Sequence, residues 1–167
     1  MLQEPHLQPT STTLPPRASL VAPPGAIATL HAAIWMGGAH SLLGQPLQPT
    51  ALATAWLVDC AGDMPQPYRQ TAALHIPCVF ADLEAHALPT RHILPTVELL
   101  AAAITDPATS PTAVYIMCTH GMNRSGLLTA LLLRQLGLDA DTAIARIRAA
   151  RPGALSNRSF LEILHRT

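Results

Sequence analysis

The chain has 167 residues, a formal net charge of zero and only 12% charged residues, which suits one domain with a proper core. All ten basic residues are arginines, so a lysine-bearing nucleotide loop and Schiff-base chemistry are excluded, and a broad polyanion-binding surface has little to be built from. Three cysteines without paired spacing do not make a disulfide scaffold, and no stretch reads as a signal peptide or a membrane span, so a soluble cytoplasmic protein is expected.

Residues 1–25 are rich in Pro, Ser and Thr and lack apolar periodicity, the composition of a flexible arm that buries too little surface to offset its ordering entropy. Structure is expected from about Ile27. A strand is predicted over Ala28–Met36, ended by Gly37-Gly38. A short helix over Pro49–Ala55 leads into a buried strand, Trp56-Leu57-Val58. Another strand, Ala72–Phe80, precedes a loop from Ala81 to Pro89. Pro95 suits a first helical position and predicts a helix from there to about Ile104. Ala113–Met117 reads as a buried strand and Leu127–Leu136 as a helix stopped by Gly137. Asp139 or Asp141 starts a further helix reaching Ala150, and Asn157 or Ser156 caps a last one through Leu164. The alternation predicts an α/β domain with a mainly parallel sheet of about five strands flanked by helices. Ligands of such sheets sit beyond the carboxyl ends of the strands.

One segment there carries chemistry: Cys118-Thr119-His120-Gly121-Met122-Asn123-Arg124-Ser125-Gly126. It lies between a predicted strand and a predicted helix start, where exposed amides bind anions. A cysteine attacks phosphorus as its thiolate, a form that helix-end amides and a nearby guanidinium favour. Arg124 suits bidentate binding of two phosphoryl oxygens. Gly121 permits the backbone twist that turns successive amides of residues 119–124 inward. Ser125 can donate a hydrogen bond to the departing sulfur in a second step.

These residues resemble the His-Cys-x5-Arg-Ser/Thr signature of the cysteine-dependent protein tyrosine and dual-specificity phosphatase superfamily. Ile34-Trp35-Met36-Gly37-Gly38, Trp56-Leu57-Val58-Asp59-Cys60 and Arg151-Pro152-Gly153-Ala154-Leu155-Ser156-Asn157 resemble further segments of its small members, so the likeness spans roughly residues 26–165 and implies a phosphatase domain over 26–167. It implies Cys118 as nucleophile, Arg124 with Thr119, His120, Gly121, Met122 and Asn123 around the phosphoryl group, and no metal or organic cofactor. It also implies a general acid from a loop thirty to forty residues upstream. Asp82 fits that position, with Glu84 and then His86 as alternatives; Asp59 and Asp63 follow a different strand. Cys60 resembles the second cysteine that forms a reversible disulfide with the nucleophile in some members, Cys78 reads as core, and Asn157 resembles a residue supporting the site. The likeness breaks at Met117, where the family places the histidine that helps order the loop; His120 is either a substitute or a solvent-facing residue. Arg146, Arg148 and Arg151 read as a solvated helix face. The implied substrates are phosphotyrosine or mixed phosphotyrosine and phosphoserine/threonine proteins. Thr119-His120-Gly121 with Asn123-Arg124 also resembles RNA 5′-triphosphatases of the superfamily. The lack of lysine argues against that polynucleotide substrate and against phosphoinositides. A sulfurtransferase and a non-catalytic phosphoprotein-binding module are the readings outside hydrolysis.

Overall fold

A computed structural model describes residues 14–84 and 90–167. Its centre is a six-stranded sheet in the order β3-β1-β2-β6-β4-β5. The strands are β1 (Arg17–Ala22), β2 (Ala33–Gly38), β3 (Gln45–Pro46), β4 (Ala55–Asp59), β5 (Leu74–Pro77) and β6 (Ala113–Cys118). β2, β6, β4 and β5 run parallel, whereas β1 pairs antiparallel with β2 and β3. The helices are α1 (Gln66–Thr71), α2 (Thr90–Ile104), α3 (Arg124–Gln135), α4 (Ala140–Ala150) and α5 (Arg158–Arg166). Among the described residues no helix is long and apolar enough to cross a membrane.

The central strand β6 is buried along its whole length, as a parallel strand covered on both faces must be. Its period-2 alternation sorts two cores. Val114, Ile116 and Cys118 face a large cluster with Leu127, Leu131, Ile147 and Phe160 from the helices. Ala113, Tyr115 and Met117 face a smaller one with Leu52, Leu57 and Met64. Cys118 and the residue before it therefore lie on opposite sides of the sheet.

Several expectations are corrected. The arm expected over 1–25 contains β1, whose Ala18, Val21 and Ala22 are buried; its pairing partners lie downstream, so no local signal marks it. Residues 1–13 lie outside the described residues. The strand expected over Ala28–Met36 starts at Ala33, because residues 25–30 are occupied by turn hydrogen bonds and Thr29 takes a positive φ of 71°. The Pro49–Ala55 helix is a single 3₁₀ turn, Pro49–Leu52. The strand expected over Ala72–Phe80 shortens to β5, and before it stands α1, which buries no residue and so shows no apolar stripe. Pro95 does not open α2 but sits inside it, since the buried face already begins at Ile93. Of the two aspartates expected to start α4, Asp139 caps it, accepting from Thr142 N at 2.8 Å, and Asp141 lies in its first turn. That bond heads the causes that hold its carboxyl below the ordinary range.

Candidate active site

The segment joining β6 to α3 is a loop whose carbonyls all have donors outside its concave side. Cys118 O accepts from Ala39 N at 2.8 Å and Thr119 O from His40 N at 2.9 Å, which continues the β2 ladder past its end. His120 O and Gly121 O accept from the Arg151 guanidinium at 3.3 and 2.6 Å. Met122 O accepts from Leu155 N at 3.1 Å and Asn123 O from Leu127 N at 2.8 Å. With six successive carbonyls bound away from the centre, the amides are left to face inward. Gly121 N does so directly, donating to Cys118 Sγ at 3.2 Å.

The tightness of this arrangement explains the glycines. Gly121 has φ +72°, and a Cβ there would lie 2.4 Å from Gly37 C and 2.7 Å from Arg151 Nη2. A Cβ on Gly38 would meet His120 C at 2.5 Å and Gly121 N at 2.7 Å. The loop backbone thus packs straight onto the end of β2, which the missing side chains of Gly38 and Gly121 allow; at Gly37 a Cβ would instead meet Arg17 O of β1 at 2.0 Å.

Cys118 is buried, with Ser125 Oγ 3.2 Å from its sulfur. Arg124 opens α3 and donates through Nη2 to Thr119 Oγ1 at 3.0 Å. Its Nε is buried and, among the described residues, has no hydrogen-bond partner. A buried donor left so is costly, and this one lies in an arginine fork suited to a bidentate anion. A cavity of about 250 Å³ is lined by Cys118, His120, Met122, Asn123 and Arg124 from the loop, with Asp82, Gly153 and Ser156. His120 Nδ1 is 3.3 Å from His40 O, which orients the imidazole at the rim.

The structure brings Asp82, 36 residues upstream of Cys118 in sequence, to this cavity. Its Oδ1 accepts from Asn157 Nδ2 at 2.8 Å and its Oδ2 from Asn123 Nδ2 at 3.1 Å. Glu84 is not among the residues lining the Cys118 cavity; it borders an adjoining hollow of about 180 Å³ with Asp82, Asn123, Ser156 and Asn157. His86 lies outside the described residues. Asp59 is buried and spends both oxygens on the amides of Ala61, Gly62 and Met64, a structural turn.

Asn157 does two jobs. Its Oδ1 accepts from Phe160 N and caps α5, while its Nδ2 donates to Asp82 and to Leu83 O at 3.2 Å. Cys60 is fully buried in the same core cluster as Cys118. Burial pushes its thiol well above the ordinary value, and negative charge at Cys118 adds to the rise. Cys78 is core, 1% exposed.

The expectation of a solvated arginine face fails at Arg151, while Arg148 is exposed and Arg146 half-buried. Arg151 is fully buried at the end of α4 and, besides the two loop carbonyls, donates to Ser41 Oγ at 2.7 Å, Ser19 Oγ at 3.0 Å and Leu43 O at 3.2 Å. Burial lowers its pKa from the ordinary value, an effect that charge at Cys118 opposes. Arg148 is exposed, bonding Ala154 O and Leu155 O at 3.1 and 3.0 Å. Arg151 is the site residue that sequence reasoning misses, because helical periodicity puts it on a helix surface beside Arg148.

No protein-family model and no curated protein matches the sequence. Solved structures do match. A mouse dual specificity phosphatase complexed with zinc tungstate is 21% identical, with a TM-score of 0.66 over 94% of this chain and 91% of that one. Human DUSP28 is 19% identical, with a TM-score of 0.64 over 92% and 93%. PTPMT1 in complex with PI(5)P is 16% identical, with a TM-score of 0.63 over 89% and 92%. The chain therefore has the fold of the dual specificity phosphatases, a six-stranded mixed sheet flanked by helices.

Proposed function

We propose that the protein is a cytoplasmic, cysteine-dependent phosphatase that hydrolyses phosphotyrosine and phosphoserine/threonine esters in proteins through a cysteinyl-phosphate intermediate. One observation carries this reading: a thiol and a half-buried guanidinium from one loop and a carboxyl from a distant part of the sequence line one small cavity. Three buried cysteines with free thiols suit a reducing compartment. The chemistry follows from the geometry. The phosphoryl oxygens take the inward amides and the Arg124 fork, which spread the charge of the transferring group. Cys118 Sγ forms the S–P bond as the P–O bond to the alcohol breaks, and Asp82 gives its proton to that leaving oxygen. Asp82, now a carboxylate, takes a proton from water as its oxygen attacks phosphorus. The S–P bond breaks and Ser125 donates to the departing thiolate, 3.2 Å away. The folding domain for this activity is the span expected at 26–167, extended upstream by β1.

The test compares wild type with Cys118→Ser on an aryl phosphate, on phosphotyrosine and phosphoserine/threonine peptides, and on triphosphate-ended RNA. Release of phosphate from the peptides by wild type alone is the expected result. Release only from RNA would move the substrate class, and no release from any substrate would leave a phosphate-binding module.

A further inference from the structure

We propose that Asn123 is a positioning residue for Asp82, an inference that rests on the reading of Asp82 as proton donor. Asn123 occupies the N-cap position of α3, where asparagine normally accepts a hydrogen bond from its own helix. Here it makes no such bond. Its amide turns away and joins two other segments instead. Oδ1 accepts from Asn157 N at 3.1 Å and from Ser156 Oγ at 3.3 Å, while Nδ2 donates to Asp82 Oδ2 at 3.1 Å and lies 3.3 Å from Ser156 Oγ. The orientation of the amide is settled by chemistry: the main-chain N–H of Asn157 must meet the oxygen, which leaves the NH₂ facing Asp82.

Two consequences follow. Because the side chain does not cap α3, the first amides of that helix stay available to the anion, at the positive end of the helix dipole. And because the same side chain spans 41 residues of sequence to Asp82, the proton donor is referenced to the loop that holds phosphorus rather than to its own flanking chain. Asn157 Nδ2 holds the other oxygen, so the carboxyl is gripped at both ends and keeps one lone pair on each oxygen for the proton it transfers.

The experiment measures Asn123→Ala on two aryl phosphates of different leaving-group acidity, alone and combined with Asp82→Ala. A positioning role predicts a loss in kcat of about tenfold or more on phenyl phosphate, whose leaving oxygen needs the proton. On 4-nitrophenyl phosphate, whose leaving group needs it less, the loss should stay within about threefold. In the Asp82→Ala background the second substitution should cost less than about twofold, the mark of two residues acting as one unit. Inhibition by inorganic phosphate should not change, since the main-chain N–H at 123 remains. Asn123→Gly, which suits the N-cap position without a side-chain bond to α3 and cannot span both partners, gives the same comparison if the alanine variant does not fold. Equal losses on both esters, additive losses with Asp82→Ala, or no loss at all would each overturn the proposal while leaving the phosphatase reading intact. A wild type that matches Cys118→Ser on both esters would instead remove the phosphatase reading, and this one with it.

Discussion

Replacing Arg151 with methionine should damage stability and anion binding together. The side chain is fully buried and no carboxylate pairs with it among the described residues; its guanidinium is satisfied by the carbonyls of Gly121, His120 and Leu43 and the hydroxyls of Ser19 and Ser41. Methionine fills similar space but donates nothing. The serine hydroxyls can rotate toward other partners, whereas the carbonyls of His120 and Gly121 are left buried without a donor, each at about 1–3 kcal/mol. A loss of about 3–5 kcal/mol results, in line with breaking a buried charged network. For a domain of this size that is a drop of roughly 6–20 °C in Tm.

The second effect is on the loop. With its two carbonyls unbound, nothing holds the peptides at 120 and 121 in the orientation that turns the neighbouring amides inward, so vanadate should bind at least about tenfold more weakly, a cost of about 1.4 kcal/mol. Thermal denaturation and vanadate titration measure the two separately. Arg151→Lys keeps the charge without the fork and should fall between wild type and Arg151→Met. Arg146→Ala, whose guanidinium reaches only Val21 O at 3.4 Å, should stay within about 0.5 kcal/mol of wild type. A methionine variant melting within about 2 °C of wild type would refute the energetic argument. One that melts early yet binds vanadate normally would show that Arg151 supports the domain without shaping the loop.

Gly121→Ala should abolish anion binding, because a Cβ at 2.4 Å from Gly37 C adds a steric clash to a φ of +72°; vanadate affinity equal to wild type would contradict the packing described. Asp82→Ala should lower kcat by roughly 100-fold on phenyl phosphate, and Glu84→Ala, which borders only the adjoining hollow, should change it little; equal losses would reassign the acid. Peroxide should convert Cys118 to a sulfenic acid that Cys60 resolves to a disulfide with loss of water. Since burial raises the Cys60 pKa, its thiolate fraction is small at neutral pH and grows about tenfold per pH unit. Disulfide formation should therefore quicken as pH rises, and sulfonic acid at Cys118 with no cross-link at any pH would end the idea.

What could be read from the sequence was what is local. β6 and α3 are marked by unbroken apolar runs, and the cysteine loop by residue types at fixed spacing, because each of those signals lies within a dozen residues. The caps are legible for the same reason to within a pair, Asp139 or Asp141 and Asn157 or Ser156, and the structure has Asp139 and Asn157. What escaped depends on partners far along the chain. β1 is a strand because β2 and β3 lie on either side of it, and its own six residues between prolines carry only a weak alternation. α1 buries nothing and so has no periodicity to detect. Arg151 falls in register with Arg148 on a helical pattern, yet it is the C-cap, where the chain leaves the helix and the side chain turns into the domain. Asn123 reads from its place in the motif as part of a phosphate cradle, but its side chain answers to Asp82 and the start of α5.

The methionine before the cysteine can be understood on the same terms. Residue 117 points to the smaller core, among Leu57, Met64 and Tyr115, on the sheet face away from the Cys118 sulfur. A polar ring there would need hydrogen-bond partners, and the hydroxyls of this mostly apolar cluster are only those of Tyr115 and Tyr68, the second already donating to Leu47 O. Whatever order such a ring would lend the loop has to come through the backbone, and every backbone carbonyl from 118 to 123 already has its donor. The chain thus divides two tasks between two arginines of identical chemistry. Arg124, half-exposed, keeps part of its fork free for an anion; Arg151, enclosed, uses its own on the loop's carbonyls and hydroxyls behind it. A lysine suits neither place, since an ammonium presents no planar pair of donors to a phosphoryl group and cannot reach five acceptors spread over three segments. The absence of lysine near this site is therefore no handicap to binding a phosphate monoester, whose two negative charges are met by one fork and a ring of amides rather than by a diffuse positive surface.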